Sequence, residues 1–115
     1  MSVRNKTRGT ILAKHLITLN SNFHHTLRFL NRRGIPRNCA LWIAPCSAVY
    51  TVGMRKPVDI AYLSQNGHVV KMLRNLPPDC VADSSPRAVS AVELPADTLG
   101  TSETAIGDEI EFDPT

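Results

Sequence analysis

Residues 39 to 63 read Cys39-Ala40-Leu41-Trp42-Ile43-Ala44-Pro45-Cys46-Ser47-Ala48-Val49-Tyr50-Thr51-Val52-Gly53-Met54-Arg55-Lys56-Pro57-Val58-Asp59-Ile60-Ala61-Tyr62-Leu63. This stretch holds the single tryptophan, both tyrosines and two of the three cysteines. It is rich in residues that fit a pleated, half-buried surface, and Pro45, Gly53 and Pro57 cut it into short pieces. Val58–Leu63 is apolar on both faces except for Asp59, the pattern of a strand inside a sheet. Ala40–Ala44 and Ala48–Thr51 are further short strands.

Outward from this centre the pattern stays β-rich. Asn66-Gly67 signals a two-residue hairpin, with the return strand over about His68 to Leu76. Pro77-Pro78-Asp79 and Asp83-Ser84-Ser85-Pro86 are breaks. Ala88–Leu94 and Glu109–Phe112 are strands, and Pro95–Thr101 can form a helical turn that starts at its proline. Upstream, residues 1–9 read as a flexible basic arm and Thr10–Leu19 as a strand. Asn20-Ser21-Asn22 offers side-chain caps for a helix over about Ser21–Leu30, followed by an exposed turn at Arg32–Pro36. Short strands, frequent turns and few helices predict one mainly β (α+β) domain over residues 10–115. Its expected form is a compact sandwich or partly closed barrel with one short helix near the N-terminus.

The chain has 115 residues and a net charge of +3. That length supports one domain with its own core. Residues 1–58 carry ten Lys/Arg and no acid, whereas residues 59–115 carry three Lys/Arg and all ten acids, so the halves bear +10 and −7. Two halves of one domain with opposite fields are expected to pack on each other. The basic residues are scattered, and Arg32, Arg33 and Arg37 lack interleaved aromatics, so nucleic acid is the disfavoured partner. No apolar run reaches membrane-spanning length and no signal-peptide core forms, so a cytoplasmic chain is expected. Cys39, Cys46 and Cys80 lack metal-ligand spacing and read as reduced thiols, with a Cys39–Cys46 bridge as the alternative. His24 and His25 point about 100° apart on a helix and make a poor chelate.

The run from Pro45 to Ile60 resembles the signature of the domain of unknown function 192 family. That signature has a proline-cysteine pair, then valine-histidine-threonine, glycine-methionine-arginine, and proline-isoleucine-aspartate. Thr7–Ala13, Arg32–Pro36, Ala91–Ala96 and Ile106–Asp108 are similar to the family's flanking elements. Two positions depart: Tyr50 stands where the family usually has histidine, and Arg28-Phe29-Leu30-Asn31 replaces a glycine-bounded helix end. The resemblance implies a mainly β protein of bacteria and archaea with no agreed activity.

The residues present no complete catalytic, metal or cofactor motif. The reading that follows is a small non-enzymatic binding or accessory module with an unidentified small molecule or protein as its partner. Its candidate surface comprises Cys46, Tyr50, Thr51, Gly53, Met54 and Asp59, where an irregular glycine-containing segment brings polar and apolar groups together. Asp59 has a structural reading beside this one, as an acceptor for N–H groups around Gly53 and Met54 or a partner for Arg55. Cys46 as a thiol nucleophile is the enzymatic alternative. A monomer fits the sequence, as does a dimer paired through edge strands, which nothing in the sequence indicates.

Overall fold

The computed structural model describes residues 1–18, 34–45, 48–50, 55–83 and 85–114. The sequence-predicted helix over 21–30 lies outside the described residues. Ten strands are described: β1 (Ser2–Asn5), β2 (Thr10–Ala13), β3 (His15–Thr18), β4 (Cys39–Ile43), β5 (Ala48–Tyr50), β6 (Val58–Leu63), β7 (Val69–Leu76), β8 (Val81–Asp83), β9 (Ser90–Pro95) and β10 (Ile110–Asp113). One short helix, α1 (Thr98–Thr101), follows β9 within the stretch where a helical turn was expected.

The strands form a five-stranded sheet in the order β3-β4-β9-β6-β7, a three-stranded sheet β10-β1-β2 and a two-stranded ribbon β5-β8. The architecture is mainly β, and the described strands do not close into a barrel. β3 runs parallel to β4, while every other pair is antiparallel.

β6 has the bounds read from sequence, and all six of its side chains are buried. Its residues alternate between two apolar clusters, one on each face of the large sheet. Ala61 and Leu63 join Val92, Leu94, Val3, Leu12 and Ile110 in a cluster shared with the three-stranded sheet. Val58, Ile60 and Tyr62 join Leu41, Ala91, Ile35 and Ala82 on the opposite face. The β5–β8 ribbon reaches that second face through Ala82, whose carbonyl accepts the Tyr62 hydroxyl at 3.1 Å.

The stretch 1–9, expected as a flexible basic arm outside the domain, contains a strand. Ser2–Asn5 form the middle strand of the three-stranded sheet, between β10 and β2. Its two inward side chains, Val3 and Asn5, are completely buried. Three ion pairs, Arg4–Asp113, Lys6–Glu109 and Arg8–Asp108, join this basic segment to the acidic end of the chain. The opposed fields of the two halves meet here.

The expected strand 10–19 is two strands. The N–H groups of both Lys14 and His15 donate to the Asn38 carbonyl, at 2.9 and 3.0 Å, and the chain changes sheet at that point. The hairpin at Asn66-Gly67 has three loop residues rather than two. The Gly67 N–H closes the turn onto the Ser64 carbonyl at 2.9 Å, and Gly67 then takes φ 82°. A left-handed residue after a four-residue turn is the usual three-residue solution, and glycine takes it without strain.

Candidate functional site

The candidate surface read from sequence is only partly described. Cys46, Thr51, Gly53 and Met54 lie outside the described residues. Tyr50 ends β5, where it pairs with Val81 of β8. Asp59 sits in β6 with no exposed surface.

Asp59 has a definite structural task. Between the pairs Val58↔Leu76 and Ile60↔Leu73 the β6–β7 register shifts, so Asp59 faces both Arg74 and Asn75. Two residues against one is a β-bulge, and a bulge frees backbone groups from the ladder. Asn75 takes φ 55° there, and its N–H donates to Asp59 Oδ1 at 2.8 Å. Asp59 Oδ2 accepts the Leu99 N–H at 2.8 Å, in the first turn of α1. Asp97, at the N-cap of that helix, makes no capping hydrogen bond of its own. The sequence reading of Asp59 as an acceptor for irregular backbone is right in kind, but the donors come from β7 and α1 rather than from Gly53, Met54 or Arg55.

A second buried carboxylate is differently placed. Glu93 lies in β9, the middle strand of the large sheet, and is only 3% exposed. Its neighbours across the ladder are Leu41 of β4 and Ile60 of β6, both in the cluster that the β5–β8 ribbon covers. Among the described residues Glu93 Oε1 has no hydrogen-bond partner. Burial in this apolar setting raises its pKa from 4.5 to about 7. An unpaired buried carboxyl is costly, and protonation is the cheaper state. Such groups concentrate at functional sites. The signal for Glu93 in the sequence is the one that marked Asp59: a single acid inside an apolar strand.

Asp108 forms a third polar centre, with three donors converging on one carboxylate oxygen. Its Oδ2 accepts from Asn5 Nδ2 at 2.9 Å, the Ala105 N–H at 2.9 Å and Arg8 Nε at 3.0 Å. Burial pushes its pKa up, but the Asn5, Ala105 and Arg8 donors and the Arg8 charge outweigh burial and hold it below 3.8. Asn5 also donates to Thr104 Oγ1 at 3.1 Å, and Thr104 meets the Ser102 hydroxyl at 2.8 Å. This network fastens β1 to the loop after α1.

Neither Cys39 nor Cys80 is in a disulfide, and Cys80 Sγ donates to the Pro78 carbonyl at 3.6 Å. Among the described residues no group of three or more His, Cys, Asp or Glu could hold a metal ion. No described helix is long and apolar enough to cross a membrane.

The fold resembles two crystal structures. One is of a protein of unknown function from Novosphingobium aromaticivorans DSM 12444, with TM-score 0.74 at 13% identity, covering 96% of this chain and 82% of that one. The other is of a "putative transcription regulator" from Sinorhizobium meliloti 1021, with TM-score 0.71 at 16% identity, covering 96% and 89%. At these identities the likeness concerns the fold alone. No curated protein matches the chain. The family model for DUF192, described as Uncharacterized ACR, matches residues 4–112, so the chain belongs to the domain of unknown function 192 family.

Proposed function

We propose that the chain is a small non-enzymatic binding module whose ligand meets Glu93 on the face of the large sheet that the β5–β8 ribbon covers. One observation carries this reading: a carboxyl in the middle strand is 3% exposed and, among the described residues, leaves Oε1 without a partner. A group that costs this much to bury is kept where it does something. The chemistry it asks for is a hydrogen-bond donor or a cation, such as an amine, a guanidinium or a hydroxyl.

Topology supports including the segment around residues 46–54. Tyr50 belongs to β5, β5 pairs with β8, and β8 contributes Ala82 to the cluster containing both ladder neighbours of Glu93. Cys46, Tyr50, Thr51, Gly53 and Met54 are therefore proposed as the surface beside the acid. Asp59 is left out of it, because both its oxygens are occupied and it belongs to the opposite face. The reading takes the three- and five-stranded sheets as the two layers of a β-sandwich, since they share one apolar cluster.

The test is the intact mass of freshly purified protein under native and then denaturing conditions, for the wild type, Glu93→Gln and Tyr50→Ala. Extra mass retained only in the native wild-type spectrum, and lost in both variants, is the expected result. A bare 12.6 kDa species in all three, combined with unchanged melting on addition of small amines, would overturn it.

A further inference from the structure

The antiparallel order β4-β9-β6 places the start of two strands beside the end of the third. Arg37 stands two residues before β4 and Lys56 two residues before β6. Pro95 ends β9, opposite Val58. These ends enclose a depression of about 300 Å³ lined by Arg37, Lys56, Ile35, Pro57, Pro95 and Ala96.

The lining is two cations around an apolar floor. Arg37 and Lys56 are both exposed, and neither takes part in an ion pair among the described residues. Asp97 is the nearest acid along the chain, but it does not line the depression. The Lys56 stem lies against the backbone of Gly34, where an added Cβ would stand 3.0 Å from Lys56 Cδ. Close packing of that stem restricts where the ammonium can go and lowers the entropy lost on binding.

We infer that this depression is a second binding site, for a small organic anion whose carboxylate or phosphate meets Arg37 and Lys56 while an apolar body rests on Ile35, Pro57 and Pro95. Glu93 does not line it. Concavity and the apolar floor set it apart from a nucleic-acid contact, which uses an extended row of cations and, for single strands, stacked aromatics.

Titration of ¹⁵N-labelled protein with phenyl phosphate, with inorganic phosphate as comparison, tests it. Phenyl phosphate is expected to shift the amides of Ile35, Arg37, Lys56 and Ala96, and to bind more tightly than inorganic phosphate. Lys56→Met and Arg37→Met are each expected to weaken it roughly tenfold, the effect of one charge-assisted hydrogen bond. Both residues are exposed, so the folds should survive, and Arg87→Met, at an exposed position outside the depression, should leave affinity unchanged. Shifts scattered over the surface, or equal affinity in all variants, would overturn the site. A single-stranded oligonucleotide that binds in place of phenyl phosphate, and is lost in both variants, would overturn the small-anion assignment in favour of a nucleic-acid contact.

Discussion

Asp59 and Leu99 are 40 residues apart in the chain and joined by one hydrogen bond of 2.8 Å, from the Leu99 N–H to Asp59 Oδ2. The other oxygen of the same carboxylate holds Asn75 at the β7 bulge. One buried acid thus ties α1 and an irregular strand to the middle of the large sheet.

Asp59→Asn replaces one acceptor oxygen with an NH₂ group that must face a backbone donor. Loss of a buried, charge-assisted hydrogen bond is expected to lower stability by about 2–4 kcal/mol. Urea denaturation checks this, and hydrogen exchange should show faster opening at Asn75 and Leu99 than elsewhere. Wild-type stability in the variant would remove the carboxylate from its structural role.

Glu93 predicts a pH dependence of the less common sign. Its folded pKa, about 7, lies above the 4.5 of the free group. The folded state therefore binds more protons than the unfolded one between those values, and stability falls as pH rises through that window. The loss reaches at most about 3 kcal/mol once the carboxyl is ionised. Glu93→Gln is expected to be insensitive over the same range and more stable than wild type at pH 8. Parallel denaturation curves at pH 5 and pH 8 for both proteins decide it.

Asp108 predicts the opposite slope. Its folded pKa is below 3.8, so its contribution is present above that value and is lost as pH falls through the folded pKa. Asp108→Asn should lower stability at neutral pH and flatten the acid limb of the profile. An unchanged acid limb would mean that other carboxylates govern it.

Gly67 joins the hairpin to the other sheet. At φ 82° a side chain is strained, and its Cβ would stand 3.1 Å from the Ile110 carbonyl oxygen. The Ile110 N–H donates to the Gly67 carbonyl at 2.8 Å. Gly67→Ala is expected to cost about 1–2 kcal/mol and to loosen β10. Melting temperature and exchange at Ile110 measure both effects.

The parts legible in the sequence are those whose reasons are local. Val58–Leu63 announces itself by five apolar residues in six, and Asn66-Gly67 by turn chemistry. β1 could not be read this way. Ser2-Val3-Arg4-Asn5 shows one apolar side chain, and its second buried residue, Asn5, is tolerated only because Thr104 and Asp108 satisfy it. β8, Val81–Asp83, is too short to carry a period. The acid in β6 was visible as unusual, but its donors lie in β7 and α1, and no spacing rule reaches them. Glu93 carried the same signal as Asp59 and stood only within the stretch that resembled the family. Arg37 and Lys56 meet because β4 and β6 flank β9, a fact of topology rather than of either loop.

The pairing of Ser2 with Asp113 sets a schedule for synthesis. β10 is synthesised about a hundred residues after β1. At roughly 5–20 residues per second, β1 waits several seconds for its second neighbour. Through that interval it has an open edge towards solvent, which invites pairing with another nascent chain. The cations Arg4, Lys6 and Arg8 that later find Asp113, Glu109 and Asp108 are still unneutralised then. Like charges on two such strands oppose their pairing edge to edge.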